Sequence, residues 1–344
     1  MRGIRPAFGW TRRSVRAALV FALFVSAVLA AGAGQRESEF SGVERIVAVG
    51  DLHGAYDSFA RILRGTGLVD ESLHWSGGAA HLVQIGDVLD RGPDARKIFD
   101  LIRRLEDEAA AAGGRVHMLI GNHEALALLG MTFDYDGFVT VEQLLSFLPE
   151  NVRQRTEEEF RRRAGPEADL APLWRDLARR DLGIQSAYFD FLRERYGLWL
   201  AGHDTAVKID RIVFVHGGFS EEYSRWSLGR LNQAVSQELC GAIQNRPIPR
   251  RVVFDARGPL WYRDDARSQE SVMNREIDRV LENLKATALV VGHTPTDGSR
   301  TLGRMSRFGG RVWTIDTGIW NPRTGRLGAL IIKNGSFRVW GEGR

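Results

Sequence analysis

The chain has 344 residues, 44% hydrophobic and 26% charged, which suits a globular protein with one large catalytic domain or two small ones. The formal net charge is only +4, and part of that excess comes from five arginines before residue 17, so the strong basic footprint of a nucleic-acid-binding protein is absent. The single cysteine, Cys240, excludes an intramolecular disulfide.

The N-terminal segment has the pattern of a secretory signal. A basic stretch precedes an uncharged run at residues 17–35, which ends in small residues and offers a cleavage site at residues 31–33. We expect residues 1–33 to be a signal peptide and the remaining chain to be periplasmic or secreted. A retained anchor on the outer face of the inner membrane is the alternative, because the run barely reaches the length of a bilayer span. The pair Arg12-Arg13 leaves a twin-arginine route open.

Residues 40–344 are predicted to form a catalytic domain that begins with alternating strands and helices. Apolar strands are expected at residues 45–49, 81–85 and 116–120, each running into a polar loop that precedes a helix. Pro93 is predicted to lie in the first turn of the second helix. In such α/β arrangements the chemistry gathers at the carboxyl ends of the strands.

A charge-rich stretch from about residue 140 to residue 200 is predicted to be a helical insertion that caps the active site. Its run at residues 157–163 has the pattern of a solvated helix face. Strands return at residues 205–209 and 211–215, and several short strands are expected between residues 287 and 341.

Metal-ligand residue types recur in five loops, each of which follows an apolar strand. They are carboxylate, imidazole and carboxamide side chains: Asp51, His53, Asp87, Asn122, His123, His216 and His293. This mixture suits Mn, Fe, Zn or Co better than a calcium cage or a thiolate zinc site. The set exceeds what one tetrahedral ion needs, so two divalent ions are implied. A carboxylate is the natural bridge, because its two oxygens can face different ions.

The five loops carry motifs that resemble the calcineurin-like metallophosphoesterase superfamily, specifically its phosphoprotein-phosphatase branch. They are GDLHG (50–54), GDVLDRG (86–92), GNHE (121–124), HGG (216–218) and GHT (292–294). With the helical insertion and GPLWYR at 258–263, the chain looks most like the bacterial Shewanella-like protein phosphatases. The resemblance implies a four-layer αββα sandwich of two mixed β-sheets with a helical cap insertion.

The resemblance also implies how the ligands divide between two divalent ions, with Mn, Fe and Zn the favoured metals. One ion would be held by three side chains: Asp51, His53 and His293. Asp87 would bridge to the second ion, which Asn122 and His216 would complete.

Catalytic and substrate-binding roles follow from the same resemblance. Arg91 would bind the substrate phosphate, His123 would act as general acid, and Asp90 would orient it. Related phosphatases use a second phosphate-binding arginine from the part of the chain that contains Arg263. Arg257 is the competing choice, and a surface salt bridge is the structural alternative for Arg263.

Other residues near the motifs are expected to have supporting roles. Glu124 is expected to fix imidazole orientations, and Asp316 is expected to hold a loop near the metals. Trp261 and Tyr262 either wall a pocket for an aromatic substrate or belong to the core. The remaining histidines are expected to be structural: His74, His81, His117 and His203.

The leading functional prediction is a phosphomonoesterase in which a metal-activated water attacks a phosphorylated protein or a small phosphomonoester. Phosphotyrosine and phosphoserine or phosphothreonine all remain open as substrates. The alternative is a dinucleoside polyphosphate hydrolase, which the export signal disfavours because those substrates are cytosolic. A noncatalytic metal-binding module is the third hypothesis, and the complete set of ligands together with His123 argues against it. No nucleic-acid partner is expected, and membrane contact only through an uncleaved N-terminal segment.

Overall fold

The structure is a computed structural model, and it describes residues 37–246, 251–296 and 305–342. The predicted signal segment, residues 1–33, lies outside this part of the chain. Within the described ranges no helix combines the length and the apolar character needed to cross a bilayer.

Two mixed β-sheets are formed by the described strands. The strands are β1 (Glu39–Phe40), β2 (Arg45–Val49), β3 (His81–Gln84), β4 (Arg115–Met118), β5 (Ala206–Ile209), β6 (Ile212–Val215), β7 (Ala288–Val291), β8 (Ser306–Arg307), β9 (Val312–Thr314), β10 (Gly328–Lys333) and β11 (Ser336–Gly341). One sheet has the order β1-β5-β6-β7-β9-β8 and the other β11-β10-β2-β3-β4. Strands β2, β3 and β4 are parallel to one another, as are β6, β7 and β9. The loops that leave each parallel set therefore share one edge of their sheet.

Helices cover the outer faces of the sheets and fill the insertion. The α-helices are Tyr56–Gly65, Ala95–Ala111, Asn122–Leu129, Val141–Ser146, Glu150–Ala164, Ala171–Arg180, Leu182–Leu192, Leu198–Ala201, Glu221–Ser224, Leu228–Ile243, Asp264–Arg267 and Glu270–Leu284. A π-helical turn, Arg193–Gly197, joins two of them, and short 3₁₀ turns lie at Thr132–Asp134, Val252–Phe254 and Phe308–Gly310.

Alternate residues of the strands face two different apolar layers. In β2, Ile46 and Ala48 belong to a cluster that joins both sheets, whereas Val47 and Val49 belong to the cluster beneath the helices. This division follows from the two-residue repeat of a strand, which sends successive side chains to opposite faces. Phe214 of β6 meets the first cluster from the opposite sheet. The predicted four-layer αββα sandwich is confirmed.

The second helix begins later than the sequence predicts. Ala95–Ala111 starts after Asp94, whose φ of −109° and ψ of 26° are not helical, so Pro93 lies in the preceding loop and its predicted place in the helix is wrong. The Asp94 amide donates to the Gly54 carbonyl (3.2 Å), which ties this loop to the first motif. The start of this helix is therefore set by a tertiary contact and not by the preference of proline for the first helical turn.

The segment between residues 141 and 201 is largely helical. Glu150–Ala164, which contains the charged run at residues 157–163, has no fully buried side chain. Leu182–Leu192 instead buries one face, including Tyr188. The inner helices of this segment therefore contact the domain, and the charged one faces solvent.

Candidate metal centre and acid pair

The five predicted ligand loops converge at the carboxyl ends of the parallel strands. Three loops follow β2, β3 and β4 of one sheet, and two follow β6 and β7 of the other. They bring together buried side chains: Asp51, His53, Asp87, Asn122, His123, His216 and His293. Segments as far apart in sequence as residues 51 and 293 thus meet where the edges of the two sheets come together.

The Asp87 carboxylate lies at the centre of this cluster. Its Oδ2 atom is 3.3 Å from His216 Nε2, 3.8 Å from His53 Nε2 and 3.8 Å from His123 Nε2. Asn122 Oδ1 lies 3.0 Å from His216 Nε2. Asp87 is also the residue that both candidate metal groups share, so this carboxylate would be the ligand common to two ions.

The position of His293 corrects the expected division of ligands. His293 Nδ1 lies 3.2 Å from His216 Nε2, and these two histidines form one candidate metal group with Asp87. A second candidate group contains His53, Asp87 and His123, and Asp51 Oδ2 lies 4.0 Å from His53 Nε2. His293 therefore belongs with His216 instead of with Asp51 and His53, because its strand, β7, pairs directly with β6.

Three imidazoles have the hydrogen-bonding pattern of metal ligands. His53 Nδ1 donates to the Leu89 carbonyl (2.7 Å), which leaves its buried Nε2 without a hydrogen-bond partner among the described residues. His216 Nδ1 faces the Ile85 carbonyl at 3.0 Å. The buried His293 Nε2 likewise has no partner in the described chain. An imidazole oriented through one nitrogen presents the other to a metal, so these residues fit divalent ions.

The pKa shifts of the clustered side chains also indicate a site for cations. Burial and the neighbouring charge of Asp316 raise the pKa of Asp51 well above its usual range. Burial would lower the pKa of His216, but the charge of Asp87 raises it to about 9. Burial and the charge of His216 lower the pKa of His293 to about 2, so this ring is neutral and keeps a lone pair. Carboxylates this deeply buried need positive charge beside them, which divalent cations supply.

Backbone strain concentrates at the site. Five non-glycine residues of the motifs have φ between 42° and 71°, in the left-handed region: His53, Asp87, Asp90, Arg91 and His293. Such conformations cost about 1 kcal/mol or more each and persist only where surrounding contacts impose them. The loops are therefore shaped by the requirements of the site.

Two motif glycines leave the space that ligand carboxylates occupy. A Cβ on Gly121 would lie 2.2 Å from Asp87 Oδ1, and a Cβ on Gly292 would lie 2.5 Å from Asp51 Oδ1. Both distances are far below van der Waals contact. The glycines that flank the ligands in the sequence are thus required by close approach.

The predicted acid pair is present in hydrogen-bonding geometry. His123 Nδ1 lies 2.6 Å from Asp90 Oδ2, and both side chains are buried. Burial would lower the pKa of His123, but the charges of Asp87 and Asp90 raise it. Arg91 Nη2 lies 3.3 Å from His123 Nε2, the ring nitrogen that does not face Asp90. A phosphate bound by Arg91 would therefore lie next to the proton of His123.

Glu124 has a different role from the one expected. Its two carboxylate oxygens accept hydrogen bonds from the backbone N–H groups of Asp87 (2.9 Å), Val88 (2.9 Å), Leu89 (3.1 Å) and Gly121 (3.0 Å). It contacts no imidazole through a hydrogen bond in the described chain, so the expected orientation of histidines by Glu124 is wrong. It fixes the loop that carries Asp87, because that loop has no strand partner for these amides.

The two candidate phosphate-binding arginines lie in different surroundings. Arg263 Nη1 donates to the His293 carbonyl (2.5 Å), and Nη2 lies 3.4 Å from His293 Nδ1, so this side chain is at the metal centre. The Arg257 side chain is 63% exposed and lies 3.7 Å from Glu222. Of this pair, Arg263 is the one that lies beside a predicted metal ligand.

Aromatic side chains that the sequence did not single out surround Arg91. Its guanidinium carbon lies 5.0 Å from the Trp320 ring centroid and 5.8 Å from that of Phe138. Phe138 also packs on His123 (4.6 Å) and stacks on Tyr135 at 4.9 Å with an interplanar angle of 12°. No motif marks these residues, and the position of Trp320 in the loop after β9 is the only signal in the sequence.

The two aromatic residues named from the sequence divide between site and core. The Trp261 ring centroid lies 5.8 Å from that of His293, beside the metal centre. Tyr262 is buried and bonds Glu276 through its hydroxyl (3.1 Å), so it belongs to the core.

Asp316 holds a loop near the ligands, as expected. Its carboxylate accepts from the Gly318 amide (2.9 Å), and its backbone carbonyl accepts from the amide and the hydroxyl of Thr296. These bonds hold the loop after β9 against the segment that follows His293.

Comparison with known proteins agrees with this geometry. Residues 44–297 match the family described as calcineurin-like phosphoesterase. The chain is 28% identical to Shewanella-like protein phosphatase 1 of Plasmodium berghei over 80% of this chain and 67% of that protein. It is 27% identical to Shewanella-like protein phosphatase 2 of Arabidopsis thaliana over 76% and 68%. The structure of a cold-active protein-tyrosine phosphatase of a psychrophilic Shewanella species superposes with a TM-score of 0.64 at 22% identity, covering 88% and 80% of the two chains.

Proposed function

The chain belongs to the calcineurin-like phosphoesterase family, whose members use divalent metal ions, and we propose that it hydrolyses phosphomonoesters on proteins with two such ions. The match confirms the predicted family and a metal-dependent phosphatase. The relatives named Shewanella-like protein phosphatases support a phosphoprotein substrate. The assignment of the substrate and of each residue's role is the proposal.

One observation carries the proposal: a buried ligand cluster, an acid pair and an arginine converge on the same point. When bound, the two ions supply an activated water and a positive clamp on phosphate oxygens. Asp87 and His216 would hold one ion together with Asn122 and His293. Asp51 and His53 would hold the other, with Asp87 shared between them.

The chain's own side chains provide the remaining chemistry. Arg91 offers a forked set of N–H donors that matches phosphate oxygens. His123 Nδ1 faces Asp90 at 2.6 Å, and in its protonated form the ring would also carry a proton at Nε2 that it could deliver to the leaving oxygen of the ester. Arg263, beside His293, can bind a further phosphate oxygen. These groups suffice for in-line hydrolysis without a covalent intermediate.

The aromatic surroundings favour an aryl ester, and therefore phosphotyrosine. The Phe138 and Trp320 rings both lie next to the Arg91 guanidinium, and Tyr135, which stacks on Phe138 and is 41% exposed, extends these aromatic contacts toward solvent. A phenyl ring can pack against such side chains, whereas the short side chain of phosphoserine gains little from them. Charge complementarity at Arg91 serves both esters, so the aromatic contacts decide between them.

Metal-dependent phosphate release tests the proposal. Chelated protein should be inactive, and Mn, Fe, Zn or Co should restore turnover of a phosphotyrosine peptide above that of matched phosphoserine and phosphothreonine peptides. Phe138→Ala should reduce the preference for phosphotyrosine more than it reduces turnover of phosphoserine. Faster turnover of a dinucleoside tetraphosphate than of every peptide would favour the alternative hydrolase, and no turnover with any of the four metals would refute the proposal.

Export remains part of the proposal, supported by the N-terminal sequence pattern. A mature protein that lacks residues 1–33 should be recovered from the periplasm or the medium. Retention of the full-length chain in the membrane fraction would indicate an anchor on the outer face of the inner membrane. A full-length protein confined to the cytosol would contradict export.

A further inference from the structure

Gln143, in the first helix of the insertion, is bonded to Asp90 by both ends of its amide group. Its Oε1 accepts from the Asp90 backbone N–H (2.8 Å), and its Nε2 donates to Asp90 Oδ1 (3.0 Å). The second N–H of the amide donates to the Tyr188 hydroxyl at 2.9 Å. Gln143, Tyr188 and Asp90 are all completely buried. A side chain with every polar group used in this way has a single orientation.

These contacts hold both oxygens of the Asp90 carboxylate. Oδ1 accepts from Gln143, while Oδ2 faces His123 Nδ1 and accepts from the Thr132 hydroxyl (3.1 Å). The carboxylate plane is therefore fixed from the insertion side, and the direction of the His123 ring is fixed with it. Without Gln143, Oδ1 has no side-chain donor in the described chain, and the carboxylate can rotate about its Cβ–Cγ bond.

The backbone reinforces the same connection. The Arg91 N–H donates to the Phe138 carbonyl (2.7 Å), and Arg96 Nη1 donates to the Ser146 carbonyl (2.7 Å). Residues 132–146 thus follow the loop of Asp90 and Arg91 along its length. The insertion is therefore bonded directly to the loop that carries the acid pair, a contact that a segment serving only to cover the site would not need.

We propose that Gln143, supported by Tyr188 and Thr132, is a positioning residue that aims the Asp90–His123 pair at the leaving oxygen. This inference rests on the proposed phosphomonoesterase activity. The amide group of Gln143 hydrogen-bonds only to Asp90 and Tyr188 in the described chain, so it acts through Asp90. The insertion accordingly contributes to proton delivery as well as to the shape of the site.

A pair of aryl phosphates distinguishes positioning of the acid from general support of the fold. Phenolate is a poor leaving group that needs the proton of His123, whereas p-nitrophenolate departs readily without one. Gln143→Met keeps the volume and removes all three amide contacts. It should lower kcat for phenyl phosphate at least about tenfold more than kcat for p-nitrophenyl phosphate, since a general acid contributes roughly 10²–10⁴-fold. Tyr188→Phe should shift the same ratio in the same direction by a smaller factor.

Matched controls isolate the effect. Gln154→Met makes the same substitution on an exposed helix of the insertion and should leave both rates unchanged. In a His123→Asn background Gln143→Met should produce no further change in the ratio, because the group that it positions is gone. Metal content and melting temperature should be measured for every variant.

The outcomes separate the inference from the function on which it rests. A wild-type enzyme that hydrolyses both esters, with a ratio that Gln143→Met and Tyr188→Phe leave unchanged, overturns the positioning role alone. Equal losses on both esters do the same, because they indicate a merely structural side chain. A metal-loaded wild type that hydrolyses neither ester overturns the proposed function itself.

Discussion

A single methyl group added at Gly292 should weaken metal binding while the chain still folds. A Cβ at this position would lie 2.5 Å from Asp51 Oδ1 and 2.7 Å from Ile85 Cγ2. Ordinary contact begins at 3.4 Å, so Oδ1 must move by about 0.9 Å (3.4 − 2.5) or the loop must shift by as much. Metal–ligand distances tolerate about 0.2 Å. Gly292→Ala should therefore displace Asp51 as a ligand.

The size of the effect follows from what Asp51 loses. Its carboxylate accepts from the His293 amide at 3.0 Å through Oδ1, and the displacement weakens this contact together with the metal bond. Loss of a residue that merely orients a ligand already lowers metal affinity 10–100-fold. We expect Gly292→Ala to weaken binding of at least one ion by about 10–100-fold or more, with turnover reduced accordingly at limiting metal.

Titration of chelated protein with Mn or Zn against a chromophoric chelator measures this change directly. Gly197→Ala is the matched control, because its Cβ would meet no atom closer than 3.4 Å and it lies in a helical turn of the insertion. Circular dichroism should show both variants folded. Binding of two ions by Gly292→Ala with wild-type affinity would refute the steric account of the GHT motif.

Three further predictions concern the acid, the phosphate ligand and acid stability. His123→Asn should lower turnover about 10²–10⁴-fold while metal content by mass spectrometry stays at the wild-type level; loss of metal would instead make His123 a ligand. Arg91→Lys should raise KM and lower kcat for aryl phosphates, because an ammonium cannot replace the fork, whereas Arg257→Lys on the surface should change neither. Burial lowers the pKa of His117 to about 3 and, in its hydrogen-bonded partner, that of His81 to about 4. Below about pH 6.5 the two histidines are protonated in the unfolded chain but stay neutral in the folded chain, so the free energy of unfolding should fall as pH drops from about 6.5 to 4. In His117→Phe the free energy of unfolding, measured with urea, should fall less steeply over this window, by roughly 2–3 kcal/mol in total.

The ligand loops were predictable because each combines a local signal with a geometric rule. An apolar strand followed by glycine and a ligand-type residue is visible within a few residues, as at Gly86-Asp87 and Gly292-His293. Parallel strands then bring the loops to one edge without further information. The alternation of Ile46 and Val47 between two layers follows from the same regularity.

The supporting residues were not predictable, because their roles depend on contacts between distant segments. Gln143 is an ordinary residue of a short helix, and only the path of the insertion brings it to Asp90, 53 positions earlier in the chain. Glu124 belongs to a motif, yet its partners proved to be backbone amides that no sequence pattern reveals. The grouping of His293 depended on the pairing of β7 with β6, which motif order does not specify.

The ligands come from both sheets, so bound ions would act as cross-links between the two halves of the domain. Direct hydrogen bonds already cross this boundary, from His216 to the Ile85 carbonyl and from the His293 amide to Asp51. Ions that bind only the folded chain would raise its free energy of unfolding by mass action, in proportion to the logarithm of the free metal concentration. Hydrogen exchange in β3 and β6 should therefore slow as metal is added. In surroundings poor in metal the same chain would be both a slower enzyme and a protein more quickly lost to proteolysis.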